Sequence, residues 1–410
     1  MNGGPGLYSF GDEERKELLD VMESGHLSRY GSEDDPAFKR KVATFELEFA
    51  SFIDVKYAVA TSSGTGSLMC CLAALGIGAG DEVIVPGYTF IASISSIIMS
   101  NAIPVLAEID ESLTIDPDDI EKRITPRTKA IMPVHMLGNP CAMDRIMAIA
   151  KKHKLHVIED CCQAGGAAYK GRRVGTFGDI AAFSLNVFKT ITAGDGGVVV
   201  TNDERLYERA FGFHDQGHKP NRMGVEVGNR SIVGVNMRIN ELTGAVALAQ
   251  LRKLEGMLAT LHTKKDRLKK ALDGLPGFKW RTINDVGGEC ATLLTLLFDT
   301  KDRAERFSAE IGGKPLAYSG WHVYNNMEQV LNKVTASASN CPYDCEKHGT
   351  EVTYAKHMLP KTDAILDRAV NISVGVVDKG LGSGFGINIK SSDAEIASVA
   401  ARLTGILKAL

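Results

Sequence analysis

Lys189 stands in the stretch FSLNVFKTITAGDGG, between a short apolar run and a glycine-rich turn. A lysine amine becomes a nucleophile when burial or a neighbour strips its proton, so this position can carry covalent chemistry or be a plain solvated loop lysine. The segment HVIEDCCQAGGA ends an apolar run on Glu159 and Asp160, with Gln163 three residues on. A carboxylate at the end of a buried strand is costly unless it meets a cation or caps the next helix. TSSGTGS puts Gly64 and Thr65 between a strand pattern and a helix pattern. There, free N–H groups and a positive dipole suit a phosphate, or the turn merely caps the helix. VPGYTF brings Tyr88 out of a strand through a Pro-Gly turn, where its ring can lie on a planar ligand or simply pack. Ser184 closes AAFSL just before Lys189. The chain has neither GxGxxG nor GxxxxGK[ST], which disfavours dinucleotide and Walker-type readings.

These residues need a frame that brings strand ends together. Short β-rich runs (YAVAT, DEVIVPG, PVLAEID, KAIMPVHM, HVIED, AAFSL, GGVVVTND) alternate with helical patterns over the first two-thirds of the chain. That alternation predicts an α/β fold with a mostly parallel sheet and helices on both faces. GGVVV follows AAFSL too closely for a helical crossover, which predicts one antiparallel strand. In such sheets ligands bind at the carboxyl ends of the strands. After about Leu254 the pattern changes to a long charged helix and a less regular region, read as a smaller C-terminal α+β domain at 256–410, behind a large domain at 1–255.

The 410 residues are 44% hydrophobic with a net charge of −3, which offers no electrostatic footprint for nucleic acid. The start lacks signal-peptide order, and the longest apolar window is broken by Ser, Asn and Pro. A cytoplasmic protein without a membrane partner is expected. Four of the eight cysteines form two adjacent pairs in apolar segments, which suits reduced, buried thiols, and CPYDC is read as two unrelated thiols with no metal. GHKPNRMGVEVGNRS is expected to be a long surface or active-site loop.

An amine, a phosphate cradle, an aromatic lid and a buried carboxylate share one logic: they suit pyridoxal phosphate. The chain also resembles a known family, the DegT/StrS-type sugar aminotransferases of fold type I. The resemblance covers most of the chain and is densest from Phe45 to Leu251, in FELEFASFI, ATSSGTGSL, LGIGAGDEVIVPGYTF, VIEDCCQA, GDIAAFSLNVFKTITAGDGGVVVTND and VGVNMRINELTGAVALAQL. It implies a seven-stranded sheet and pyridoxal phosphate as cofactor. Lys189 would be the Schiff-base residue, Asp160 the partner of the ring nitrogen, and Gln163 the neighbour of the ring hydroxyl. Gly64, Thr65 and Ser184 would hold the phosphate, and Tyr88 would stack on the ring. Asn236 would reach the phosphate of the other subunit, which makes the protein a homodimer with shared active sites.

The activity so implied is ping-pong transfer of an amino group from L-glutamate or L-glutamine to a keto sugar. Keto-cyclitols, or another reaction of the same cofactor on a sugar, are the alternatives, and a non-catalytic regulator is the remotest. Related sugar dehydratases carry histidine where this chain has Lys189. His214, His218 and His322 are candidates for the sugar site, although an ordinary surface or core histidine is the commoner reading of each. Leu185 stands where the family usually has Phe, and Cys161-Cys162 replaces commoner small residues. The region from Leu316 to Gly349 has no clear counterpart in the family pattern, so the acceptor is not fixed by resemblance.

Overall fold

The computed structural model describes residues 2–220, 228, 230–344 and 352–410. Much of the expected GHKPNRMGVEVGNRS loop, at 221–227 and 229, lies outside the described residues.

Seven strands form the main sheet: β1 (Tyr57–Thr61), β2 (Glu82–Pro86), β3 (Ile103–Ala107), β4 (Thr128–Ile131), β5 (His156–Asp160), β6 (Ile180–Ser184) and β7 (Gly197–Thr201). Their spatial order is β1-β7-β6-β5-β4-β2-β3. The neighbours from β3 through β2, β4 and β5 to β6 are parallel. Strand β7 runs antiparallel to both β6 and β1, as the short AAFSL–GGVVV connection requires. Strands such as EVIVP are buried at every position, because helices cover both faces.

The helices that precede, join and follow these strands are α1 (Lys41–Ile53), α2 (Gly64–Leu75), α3 (Ile91–Met99), α4 (Pro117–Arg123), α5 (Met143–His153) and α6 (Glu204–His214). In α1, Val42, Phe45, Phe49 and Ile53 recur at helical spacing and are buried, with Phe49 meeting Phe183 of β6 edge-on at 5.1 Å. Helix α7 (Glu241–Leu272) is capped by Asn240, whose side chain accepts from Thr243 N, and runs unbroken through position 255. Beyond it lies a three-stranded antiparallel sheet, β8 (Phe278–Trp280), β9 (Leu293–Phe298) and β10 (Ala369–Ser373). Helices α8 (Lys301–Glu310), α9 (Pro360–Leu366) and α10 (Asp393–Ala409) accompany it.

The N-terminal tail is tied in on both sides. Gly3 bridges Val377, and the Gly4 N–H donates to Val187 O at 2.9 Å, two residues before Lys189. A side chain at Gly4 would meet the Phe188 and Lys189 carbonyl groups at 2.4 Å, so only glycine lets the tail lie this close. Among the described residues, no helix is long and apolar enough to cross a membrane. Among the described residues, six cysteines are free thiols. Cys341 is disulfide-bonded, which corrects the reading of CPYDC as two unrelated thiols.

Candidate active site

The carboxyl ends of β1, β5 and β6 and the turn after β2 open on one cavity of about 580 Å³. Strand β1 ends at Thr61, and Ser63 caps α2 by accepting from Gly66 N at 3.0 Å. The first residues of that helix, Gly64 and Thr65, line the cavity with Ser184 from β6. A Cβ on Gly64 would fall 2.7 Å from Ser184 Cβ and 3.0 Å from Cys162 Sγ. Glycine therefore keeps open a cradle between a helix N-terminus and a hydroxyl, a setting that suits a phosphate. The Ser184 hydroxyl oxygen accepts from Asn186 N at 3.3 Å, which leaves its own hydrogen for another acceptor.

Asp160 ends β5 at the cavity floor, 3% exposed. Its partners are neutral donors: the Ser93 hydroxyl at 2.6 Å and the Cys162 N–H at 3.0 Å. Ser93 is steadied by Thr89, 2.7 Å away. A carboxylate so placed holds a cation well. Its neighbour Glu159 points the other way and is spent on structure. It accepts the N–H groups of Gly175, Phe177 and Gly178 and the Nε2–H of His135. That hydrogen sits on Nε2 because His135 Nδ1 accepts from Cys141 N. His135, Glu159 and Cys161 lie close enough to hold a metal ion, but these hydrogen bonds already occupy the first two.

Lys189 follows a turn in which its N–H donates to Asn186 O at 2.9 Å, and its side chain lines the cavity. Burial holds its amine below the ordinary lysine value, against the opposing pull of Cys162, Asp160 and Asp378. A lysine so held sheds its proton more readily and becomes a nucleophile or base.

The remaining expectations divide. Gln163 lines the cavity, its Oε1 accepting from Leu137 N at 3.0 Å. His322 also lines it, set there because Thr89 N donates to His322 O and Tyr88 bridges Val323. Burial, and then the charge on Lys189, push His322 down to about 4, so at neutral pH it is uncharged. Tyr88 is a correction: its side chain is fully buried in the core and does not line the cavity. The ring that does is Phe90, two residues on and 5.3 Å from the His322 ring. His214 is a second correction. It closes α6 inside the core, donating from Nδ1 to Phe211 O and facing Arg29 at 3.1 Å through Nε2, with burial holding it at about 3. His218 is also away from the cavity, 2.8 Å from Arg230. Asn236 is exposed and is not in its own chain's cavity lining among the described residues.

Sequence reasoning missed Ser93, Cys162 and Asp378, all on the cavity wall. Ser93 had a weak signal, a hydroxyl one helical turn past the VPGYTF turn. Asp378 comes from the C-terminal region, where periodicity pointed nowhere. Trp321, also on the wall, stands in an aromatic and Asn-rich segment whose residue types suit a hydroxyl-rich ring.

The profile of the DegT/DnrJ/EryC1/StrS aminotransferase family matches residues 9–313. GDP-perosamine synthase of Vibrio cholerae is 38% identical over 272 residues, covering 65% of this chain and 70% of that one. L-glutamine:2-deoxy-scyllo-inosose aminotransferase of Streptoalloteichus tenebrarius is 35% identical over 346 residues, covering 80% and 79%. The X-ray structure of the aminotransferase from Psychrobacter cryohalolentis superposes with a TM-score of 0.78 at 29% identity, covering 98% of each chain. The cradle, the buried carboxylate and the depressed lysine fit the cofactor of such enzymes, pyridoxal phosphate, part by part.

Replacing Gly64 by Ala tests the cradle. The added methyl crowds Ser184 and Cys162, so cofactor affinity should fall about tenfold or more, as a lost charged hydrogen bond would dictate. Absorbance titration of apoprotein with pyridoxal phosphate measures it, and unchanged affinity would place the phosphate elsewhere.

Proposed function

Because the chain belongs to the DegT/DnrJ/EryC1/StrS aminotransferase family and is a pyridoxal-phosphate-dependent aminotransferase, we propose that it moves an amino group from L-glutamate or L-glutamine to a keto sugar in two half-reactions. The observation that carries this reading is the juxtaposition of Lys189, Asp160 and the Gly64 cradle in one cavity whose outer wall presents Phe90, Trp321 and His322. Flat faces and an uncharged imidazole suit a ring rich in hydroxyls. The relatives' names, a perosamine synthase and a scyllo-inosose aminotransferase, support a sugar or sugar-like acceptor. A keto-cyclitol is the second reading, favoured by the relative that matches 80% of this chain.

When bound, pyridoxal phosphate supplies an electron sink for a carbon that loses its proton, and it stores the amino group between the half-reactions. The protein supplies the rest. Gly64, Thr65 and Ser184 would hold the phosphate. Asp160 would hold the ring nitrogen in its cationic form, with Ser93 and Cys162 N–H fixing the carboxylate. Phe90 would lie against the ring in the place first expected of Tyr88, and Gln163 would meet the ring oxygen. The Lys189 amine, made available by burial, takes the proton from the substrate carbon at Nζ and returns it at the other end of the transfer. His322, neutral, can accept or donate a hydrogen bond to a sugar hydroxyl without repelling the lysine.

Homodimerisation with shared sites belongs to this reading. Asn236 is exposed and outside its own chain's cavity, as a residue serving a second subunit's site must be.

Two experiments test it. The first follows 2-oxoglutarate formation from glutamate with a panel of keto sugars and keto-cyclitols, and with pyruvate as control. A keto sugar should react best, whereas rapid turnover of pyruvate and of no sugar or cyclitol would contradict the assignment. The second mixes Lys189→Ala protein with Asn236→Ala protein. Mixed dimers hold one doubly defective site and one intact site, so activity should rise above either parent. No rise, with subunit exchange demonstrated, would mean that each site is built within one chain.

A further inference from the structure

Gln163 has one half of its amide committed. Its Oε1 accepts the Leu137 N–H at 3.0 Å. An N–H requires an oxygen opposite it, so the amide cannot be reversed, and the Nε2 end is what remains for a ligand in the cavity that Gln163 lines. Gln163 is thereby a donor toward the cavity.

The N–H that sets this orientation belongs to a residue under strain. Leu137 has φ 57° and ψ 32°, the left-handed region that a side chain with Cβ resists. Something must hold it there. Its carbonyl accepts from Arg281 Nη2 at 3.0 Å, and the preceding carbonyl, Met136 O, lies 3.5 Å from Nη1. Arg281 is 3% exposed and follows β8 in the small sheet. Behind it, Glu289 lies 3.8 Å away and is itself clamped by Lys265 of α7 at 2.6 Å through both carboxylate oxygens. The line therefore runs from α7 through Glu289, Arg281 and Leu137 to Gln163 and the cavity.

We propose that Arg281 is a positioning residue: by pinning the left-handed Leu137 it fixes Gln163 as a hydrogen-bond donor to the cofactor's ring oxygen. This rests on the placement of Gln163 beside that oxygen given above. A donor on an anionic oxygen draws off charge that would otherwise hold a proton on the nitrogen Lys189 contributes. Losing the donor therefore moves the titration of the bound cofactor to higher pH. The charged and titratable groups around the line are Glu289, Lys265 and Tyr88 at Arg281, and Asp160, Cys162, Lys189, Asp195, His322 and Asp378 on the cavity side. All of them stay unchanged in the variants below.

The test is the pH midpoint of the cofactor's absorbance change in purified holoenzyme. Q163M should raise it by about one unit, the size expected for one hydrogen bond to a charged group. R281M should raise it in the same direction, and R281K, whose ammonium can still reach the Leu137 carbonyl, should keep the wild-type midpoint. Adding L137G to R281M should bring the midpoint back, because glycine takes the left-handed conformation without steric cost. If R281M does not accumulate as folded holoenzyme, R281Q takes its place, too short to reach the carbonyl but still polar. A folded R281M or R281Q with the wild-type midpoint, beside a shifted Q163M, overturns the role of Arg281. An unshifted Q163M overturns the placement of Gln163 on which it rests.

Discussion

A carboxylate buried at the end of a parallel strand, with only neutral donors for company, is the constraint from which this site is built. Asp160 is 3% exposed, and its partners are a serine hydroxyl and a backbone N–H. Those bonds orient the charge and do not neutralise it. A buried anion hydrogen-bonded only by neutral groups is a standing cost unless a cation pairs with it, so the position makes sense as one half of an ion pair completed by a ligand. The depressed amine of Lys189 on the same cavity wall is the complementary half of the chemistry: one group stabilises a positive ring, the other is ready to give up a proton.

The fold gathers these groups through strand order. Strand β7 slips antiparallel between β1 and β6, so the end of β6 comes to the N-terminus of the helix that follows β1. That puts Ser184 against Gly64, in contact so close that a methyl group would not fit. Asp160 comes from β5, next to β6. The tail at Gly3 and Gly4 then locks the Lys189 turn from outside, while the 320–324 segment pairs with the turn after β2 and lays His322 over the opening. Each device is local backbone pairing, and together they leave little freedom for the reacting groups.

Much of this was legible in the sequence for a physical reason. Residues that end apolar runs must lie at strand ends, and in a parallel sheet strand ends share one rim, so Lys189, Asp160, Ser184 and Gly64 could be placed together without coordinates. The antiparallel β7 was legible from the shortness of one connection. What failed was orientation within turns. Tyr88 and Phe90 are equally aromatic, and only the pairing of Tyr88 with Val323 decides that the first faces the core and the second the cavity. His214 was a candidate for the sugar site but closes α6 under Arg29. The C-terminal contributor Asp378 sits on a turn whose place depends on long-range pairing, which no local pattern encodes. The strain at Leu137 was equally invisible, since nothing in MLGN marks a leucine in the left-handed region.

The central claim, that Asp160 exists to keep the cofactor ring cationic, is open to one direct measurement. The holoenzyme can be loaded with cofactor carrying ¹⁵N at the ring nitrogen and its chemical shift followed with pH. The account predicts a protonated ring nitrogen from about pH 6 to about pH 9 in the wild type, and an unprotonated one over the same range in Asp160→Asn. A wild-type ring nitrogen that is unprotonated, or one that stays protonated in Asp160→Asn, would contradict it.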